Sequence, residues 1–322
     1  MQFQAVARRG CGLGHDVVGR GITKGHRMDS FAGKIAVVTG GGTGMGRELV
    51  VQLAREGCHV AMCDVSPDNM AESKQLATEA SPDGTRISTF VADVSDESAL
   101  LAFRDAVQAD QGTDHINLLF NNAGIGGGGS FVTDENRNGW ERTFEICWTG
   151  VYLGSRVFMP MLVASDEGYI VNTASVNGFW ATIGLDRPHT AYSAAKFAVK
   201  GFTEALITDL RINAPHVKAA VVMPGHIGTS IVFNSAAVQG TTANAEVASS
   251  FRDKAPTTAA QAATIILDGV RQDRWRILVG EDAVALDQLV REVPEEAYEP
   301  VFIDMIHERG HLRWLVSGDT PD

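Results

Sequence analysis

Apolar residues gather in seven short runs along this chain, separated by segments of helical periodicity. The runs are Lys34–Thr39 (KIAVVT), Cys58–Asp64 (CHVAMCD), Arg86–Ala92, Ile116–Asn121 (INLLFN), Tyr169–Thr173 (YIVNT), Val217–Met223 (VKAAVVM) and Arg276–Val279. They are continuous rather than alternating, the pattern of strands buried on both faces. Helices are predicted between them at Gly46–Glu56, Pro67–Ala80, Glu97–Ala109, Glu135–Val163, Thr190–Arg211 and Thr258–Arg271. Strand and helix alternate throughout, so the expected class is α/β, a doubly wound parallel sheet of about seven strands with helices on both faces. One segment, Ile227–Pro256, is weakly patterned and rich in Ser, Ala, Thr and Gly. It lies between a strand and a helix, where lids over active sites are often found.

The chain has 322 residues and is 44% hydrophobic. That supports a single domain of about 250–280 residues with tails. Residues 29–281 are expected to form the domain. Residues 1–28 are expected to be a disordered extension, or the product of an upstream start with Met28 as the working one. Five basic residues (Arg8, Arg9, Arg20, Lys24, Arg27) precede Met28 without a continuous apolar stretch. A secretory signal is therefore not expected, and an organelle transit peptide is weakly supported. The formal charge of −12 argues against a nucleic-acid partner. Residues 282–322 are expected to be an acidic extension. From Glu281 onward eleven Asp and Glu face three Arg, which suggests a solvated surface. No apolar run approaches the roughly 20 residues of a membrane span, so no membrane partner is expected. Cys58 and Cys63 fall on one strand with side chains on opposite faces, beyond disulfide reach, and with Cys11 and Cys147 they make no metal-binding spacing. No metal is expected, and a reducing cytoplasm fits best.

Candidate chemistry begins at Thr39-Gly40-Gly41-Gly42-Thr43-Gly44-Met45-Gly46, which joins the first strand to its helix. Glycines there allow a tight turn and close approach of the backbone to a pyrophosphate at the helix N-terminus. The alternative is a plain flexible turn. Asp64 ends the second strand, 18 residues after Gly46. A carboxylate at that place bonds ribose hydroxyls and repels a 2′-phosphate. No Lys or Arg stands at Thr43, Val65 or Ser66, so NAD is predicted over NADP. Alternatively, Asp64 caps the following turn. Asp93-Val94 and Asn121-Asn122-Ala123-Gly124 follow the third and fourth strands. Both sit at the carboxyl ends of parallel strands, where open α/β sheets bind ligands, although each also reads as an Asx-type turn.

Tyr192 and Lys196 lie four apart on a predicted helix and so share a face. A neighbouring ammonium favours the phenolate and is expected to lower the Tyr192 pKa, making a tuned acid/base. An ordinary helix face is the alternative reading.

Together these pieces resemble the short-chain dehydrogenase/reductase family in its short single-domain form. The resemblance runs from about Asp29 to Gly280, through Thr39–Gly46, Asp64, Asp93, Asn121–Gly124, Ser175, Tyr192-x-x-x-Lys196 and Pro224-Gly225. It implies a Rossmann-type fold and hydride transfer between NAD and a secondary alcohol or ketone of apolar, possibly cyclic type. It also implies catalytic roles for Ser175, Tyr192 and Lys196, with Tyr192 as general acid/base. Cofactor contacts would come from Gly40, Thr43, Gly44, Met45, Gly46, Asp64, Asp93, Val94, Asn121, Ala123, Gly124, Tyr192, Lys196, Pro224, Gly225, Ile227 and Thr229. Asn121 and the turn after it would lie near the adenosine ribose. Ser175 also reads as a turn cap, and Thr229 as a helix N-cap. The resemblance further implies a homodimer or homotetramer assembled through Glu135–Val163 and Thr190–Arg211.

The chain departs from the family's pattern in two places. Cys147 stands where the family has an Asn that supports a proton-relay water, and a thiol cannot replace an amide. A dinucleotide-binding protein with little catalysis is the competing reading that this raises, and an NADPH-dependent ketone reductase is another. The 17-residue step from Ser175 to Tyr192 is a few residues longer than the family norm, with the excess at Leu185–His189. Phe179 and Trp180 precede that region and Phe131 follows the Gly126–Gly129 run, and the three read as either a substrate wall or packing. The tail, with Phe302, Trp314 and Leu315, is expected to cover the site or a partner subunit.

Overall fold

Residues 28–127, 129–133, 136–182 and 188–309 are described by the computed structural model. The expectations for residues 1–27, Cys11, Glu135, Leu185–Arg187, Trp314 and Leu315 lie outside them. In chain order the elements begin β1 (Ile35–Thr39), α1 (Gly44–Arg55), β2 (His59–Asp64), α2 (Pro67–Ala80), β3 (Ile87–Val91) and α3 (Glu97–Gln111). Next come β4 (Leu118–Asn121), α4 (Arg137–Phe144), a π-helical turn (Glu145–Thr149), α5 (Gly150–Val163), β5 (Gly168–Thr173) and α6 (Thr190–Asn213). The chain continues with β6 (Val217–Pro224), β7 (Ile227–Gly228), α7 (Ile231–Val238), α8 (Ala245–Asp253), β8 (Thr257–Thr258) and α9 (Ala259–Arg271). β9 (Arg276–Val279), α10 (Glu281–Glu292) and α11 (Pro300–Arg309) complete it.

Seven strands form one parallel sheet in the order β3-β2-β1-β4-β5-β6-β9. Alternate strand residues feed two cores. Ala36, Val38, Val60 and Met62 pack with residues of α1, α2 and α9, whereas Ile35, Val37, Ala61 and Cys63 pack with α3, α5 and α6. Each large side chain buried this way contributes about 1.5–3 kcal/mol. Cys58 belongs to the first core and Cys63 to the second, on opposite faces. Strand order reverses between β1 and β4, the switch point where such sheets open a crevice for ligands.

The predicted helix over 135–163 is interrupted. A π turn at Glu145–Thr149 carries Cys147, and such turns recur at functional sites. By length and composition, the 27-residue run Arg137–Val163 meets the test for a bilayer-crossing helix, against the expectation from sequence. Of its most apolar window, 61% is buried inside the fold, as befits a core helix between the sheet and its neighbours.

The weakly patterned segment contains α7 and α8, framed by the parallel pair β7–β8. Its helices escape pattern recognition for a physical reason. α7 (IVFNSAAV) is apolar almost all round, and only Ser235 is buried, because the helix roofs a cavity instead of packing on a solid core. The acidic tail is not merely a solvated face. Leu286, Leu289, Phe302 and Ile306 of α10 and α11 form a third core with Val176 and Trp180, just past Ser175.

Candidate active site

A cavity of about 1090 Å³ opens at the carboxyl ends of β1, β2, β4, β5 and β6, under α7 and α8. It is at or just above the upper end of common ligand pockets, about 300–1,000 Å³, so it has room for a large ligand with a smaller one.

The glycine turn forms one end. Gly40 and Gly44 adopt positive φ of 66° and 55°, conformations that favour glycine. A Cβ on Gly40 would stand 2.8 Å from the Ala123 backbone. One on Gly46 would stand 2.0 Å from the Gly40 carbonyl oxygen. Gly46 therefore lets α1 press on the strand and does not itself line the cavity, unlike Gly40, Thr43, Gly44 and Met45. Thr43 precedes α1 without capping it, and its hydroxyl instead accepts a bond from Asn234 Nδ2 of α7 at 2.7 Å. The first turn of α1 carries no acidic residue, so its amides remain available to an anion.

Asp64 does cap the following turn. Its Oδ2 accepts from Gly42 N and its Oδ1 from Ser66 N, each at 3.0 Å, while the residue lines the cavity. Nearby Arg47 is turned away onto Gly42 O, Ser73 and Glu72. Asp93 pairs with Arg142 of α4 and accepts from the amide and hydroxyl of Ser95. Burial opposes its charge, but the Ser95 bonds and the Arg142 guanidinium outweigh that and hold its carboxyl below the usual range. Val94, Ala123 and Gly124 line the cavity as well.

Asn121 does not line it. Its side chain is buried and donates to Ser155 Oγ at 3.1 Å and Asn172 Oδ1 at 2.8 Å, tying β4 to α5 and β5. The expected ribose contact therefore fails for this side chain, because strand parity sends it toward α5. Asn122 lines the cavity instead, and its Nδ2 donates to Thr39 O at 3.1 Å, bracing the glycine turn.

Ser175, Tyr192 and Lys196 converge at the other end. Ser175 does cap a turn, accepting from Asn177 N at 3.2 Å, and Asn177 is itself held by Trp180 O and Thr182 O. Lys196 is 2% exposed and donates from Nζ to Thr173 O at 2.8 Å. That Nζ lies 5.3 Å from the Tyr192 ring centroid. The expected lowering of the Tyr192 pKa does not hold here. Burial pushes the phenol up, the adjacent Cys147 adds to this, and the nearby Ser175 hydroxyl opposes it. Burial likewise pushes the Lys196 ammonium down. In this state Tyr192 is a protonated phenol at neutral pH.

Cys147 is fully buried in the π turn, and its thiol donates to Ile125 O at 3.2 Å. A Cβ on Gly124 would lie 3.6 Å from that sulfur and 3.5 Å from Lys196 Nζ. The thiol thus flanks the lysine pocket with its donor already engaged.

Pro224, Gly225, Ile227 and Thr229 line the cavity. Ser230, not Thr229, precedes α7, so Thr229 is no N-cap. Asp282, at the start of α10, is buried and accepts from His226 N at 2.7 Å. A Cβ on Gly225 would fall 2.3 Å from its carboxylate. The tail thereby buttresses the Pro224–Gly225 turn. Asp282, Arg142, Asn122, Asn177, Asn234, His189 and His226 form or brace this site without having been singled out. Only Asn122 and His189 lay within motifs that the sequence marks.

Phe179 and Trp180 are packing residues, and none of Phe131, Phe179 and Trp180 lines the cavity. Phe131 is 69% exposed against the Trp140 edge, and Trp180 is buried on Phe302 with Nε1 donating to Ala297 O at 2.6 Å. The apolar walls come instead from Ile125, Val176, Val232, Phe251 of α8 and Ile303 of α11.

The glycine cradle, the available helix amides and the Asp64 carboxylate fit a nicotinamide dinucleotide. A family model for short chain dehydrogenases matches residues 34–239. SadH of Mycobacterium tuberculosis (strain H37Rv) is 37% identical over 266 residues, spanning 82% of this chain and 92% of SadH. Levodione reductase of Leifsonia aquatica is 35% identical over 210 residues, 64% of this chain and 73% of that protein. A solved short-chain dehydrogenase/reductase from Burkholderia phymatum, in complex with NAD, superposes with a TM-score of 0.73 at 29% identity, covering 84% of this chain and 97% of its own. The fold, the cradle and these likenesses agree: this chain belongs to the short-chain dehydrogenase/reductase family of oxidoreductases.

Proposed function

We propose that this protein is an NAD-preferring oxidoreductase that interconverts an apolar secondary alcohol, cyclic alcohols included, and its ketone. The observation that carries the reading is the convergence of Ser175, Tyr192 and Lys196 on an apolar-walled cavity whose far end is the glycine cradle. Gly40, Thr43–Met45, Asp64, Asp93, Val94, Ala123, Gly124, Pro224, Gly225, Ile227 and Thr229 would hold the cofactor, and the bound nicotinamide supplies the hydride acceptor or donor. The protein orients and moves the proton. Ser175 and Tyr192 hold the reacting oxygen. The phenol gives its proton to a ketone oxygen, or its phenolate takes one from an alcohol. Lys196, fixed on Thr173 O, supplies positive charge that favours the phenolate once it forms.

NAD preference rests on Asp64, a cavity-facing carboxylate with no free cation beside it among the described residues. The levodione reductase likeness supports a carbonyl substrate. Exposed Tyr152 on α5 and Phe197 on α6 support a homodimer or homotetramer built on these helices. The buried free thiols of Cys58, Cys63 and Cys147 suit a reducing, cytoplasmic setting. The test is absorbance at the reduced-nicotinamide band with NAD and with NADP across a panel of cyclic and open-chain secondary alcohols. Turnover favouring NAD is expected. Turnover favouring NADP would reverse the cofactor assignment, and none on any alcohol or ketone would favour a binding protein with little catalysis.

A further inference from the structure

His189 is a half-buried imidazole at the substrate end for which the hydride-transfer reading has no use. It directly precedes α6 but makes no side-chain cap. Its ring packs on Tyr192 with centroids 4.9 Å apart at 34°, and it lines the cavity. Its Nδ1 is buried and has no hydrogen-bond partner among the described residues.

These facts fix its chemistry. Burial holds the imidazole pKa down at about 4, so the ring is neutral at neutral pH and carries one proton. On Nδ1 that proton would be a sealed donor without an acceptor, whereas a sealed lone pair is the less costly orphan. The proton therefore belongs on Nε2, the nitrogen left for a ligand to reach. His189 stands three positions before Tyr192, directly ahead of α6, a rise of about 4.5 Å at helical spacing. The donor is thus displaced from the place where Ser175 and Tyr192 hold the reacting oxygen. The walls named above are apolar, and the Asn177 and Gln239 amides that also line the cavity already donate, to Trp180 O and Thr182 O and to Gly126 O.

We propose that His189 is a specificity residue whose Nε2–H donates to a second oxygen of the substrate, close to the reacting carbon. The preferred substrates are then hydroxyketones or diketones and their reduced forms, rather than simple ketones. This rests on the ketone reading above. A pocket with one such donor discriminates between substrates because an analogue without the acceptor leaves the donor unpaired.

The test compares 1,2-cyclohexanedione with cyclohexanone, with NADH, in wild type, His189→Phe and His189→Gln. NADH fluorescence titration checks that each variant retains its cofactor end. Wild type is expected to favour the dione in kcat/KM by about tenfold or more. His189→Phe should collapse that ratio toward one, with the loss in KM for the dione. His189→Gln keeps an N–H donor and should restore part of it. An unchanged ratio in His189→Phe, even with both activities lowered, overturns the proposal and leaves His189 as a prop for the Tyr192 ring. Failure of wild type to reduce either ketone, with NADH bound, overturns the ketone reading and the proposal with it.

Discussion

The two ends of the cavity are built differently. The cofactor end is made of turns that directly follow strands: the glycine run after β1, Asp64 after β2, Asp93 after β3 and Ala123–Gly124 after β4. Its recognition groups are mostly backbone amides, with a few carboxylates tied to neighbouring amides. The substrate end is assembled from segments far apart in the chain: Ser175 and Val176, His189 and Tyr192, α7 and α8, and Ile303 of the tail. Its groups are side chains, mostly apolar, whose positions depend on packing. A ligand common to a whole family can be held by local backbone geometry, whereas a private substrate needs tertiary assembly.

Substitutions should therefore separate by end. The largest effect short of removing the phenol is expected from Ser175→Ala, about a hundredfold loss in kcat with NADH affinity kept, by steady-state kinetics and fluorescence titration. The opposite signature is expected from Gly40→Val. Its side chain would meet the Ala123 backbone at a positive φ, and such strain costs about 1–3 kcal/mol. Weakened NADH binding and a Tm lowered by several degrees should follow. If Gly40→Val left NADH binding intact, the cradle would not be the cofactor site.

An intermediate effect is expected at Asp64. Asp64→Ser removes the carboxylate facing the ribose position and should shift the ratio of kcat/KM for NAD over NADP at least about tenfold toward NADP, worth about 1.4 kcal/mol. An unmoved ratio would reduce Asp64 to the turn tie that it also makes. The smallest effect is a pH dependence. Asp93 is held below its unfolded value, so its contribution to stability is present above about pH 3.9 and is lost as pH falls through its lower folded pKa. Asp93→Asn should flatten the fall in Tm below that pH by a small amount, because the Asp93–Arg142 pair is about a third exposed and screened by solvent.

The same contrast explains what could be read before any coordinates. The sheet and the cofactor turns were legible because buried parallel strands are continuous apolar runs and glycines mark the turn after β1. The direction of Asn121 was not, since a one-residue change of parity at a strand end decides which face the side chain takes. The pairing of Arg142 with Asp93 spans 49 residues and that of Asp282 with His226 spans 56, with no local signal for either. α7 lacked periodicity because it is apolar almost all round and roofs a cavity. The expected fall in the Tyr192 pKa counted the Lys196 charge and left out burial, which pushes the phenol up.

The central claim is that the buried Tyr192 phenol moves the proton while the glycine cradle holds the cofactor independently. The most direct measurement pairs NADH dissociation constants with kcat in wild type and Tyr192→Phe, on one ketone that wild type reduces. The account predicts kcat lower by about 100- to 10,000-fold with NADH affinity changed by less than about threefold. A Tyr192→Phe enzyme that keeps its kcat, or that loses it only in step with NADH binding, would contradict it.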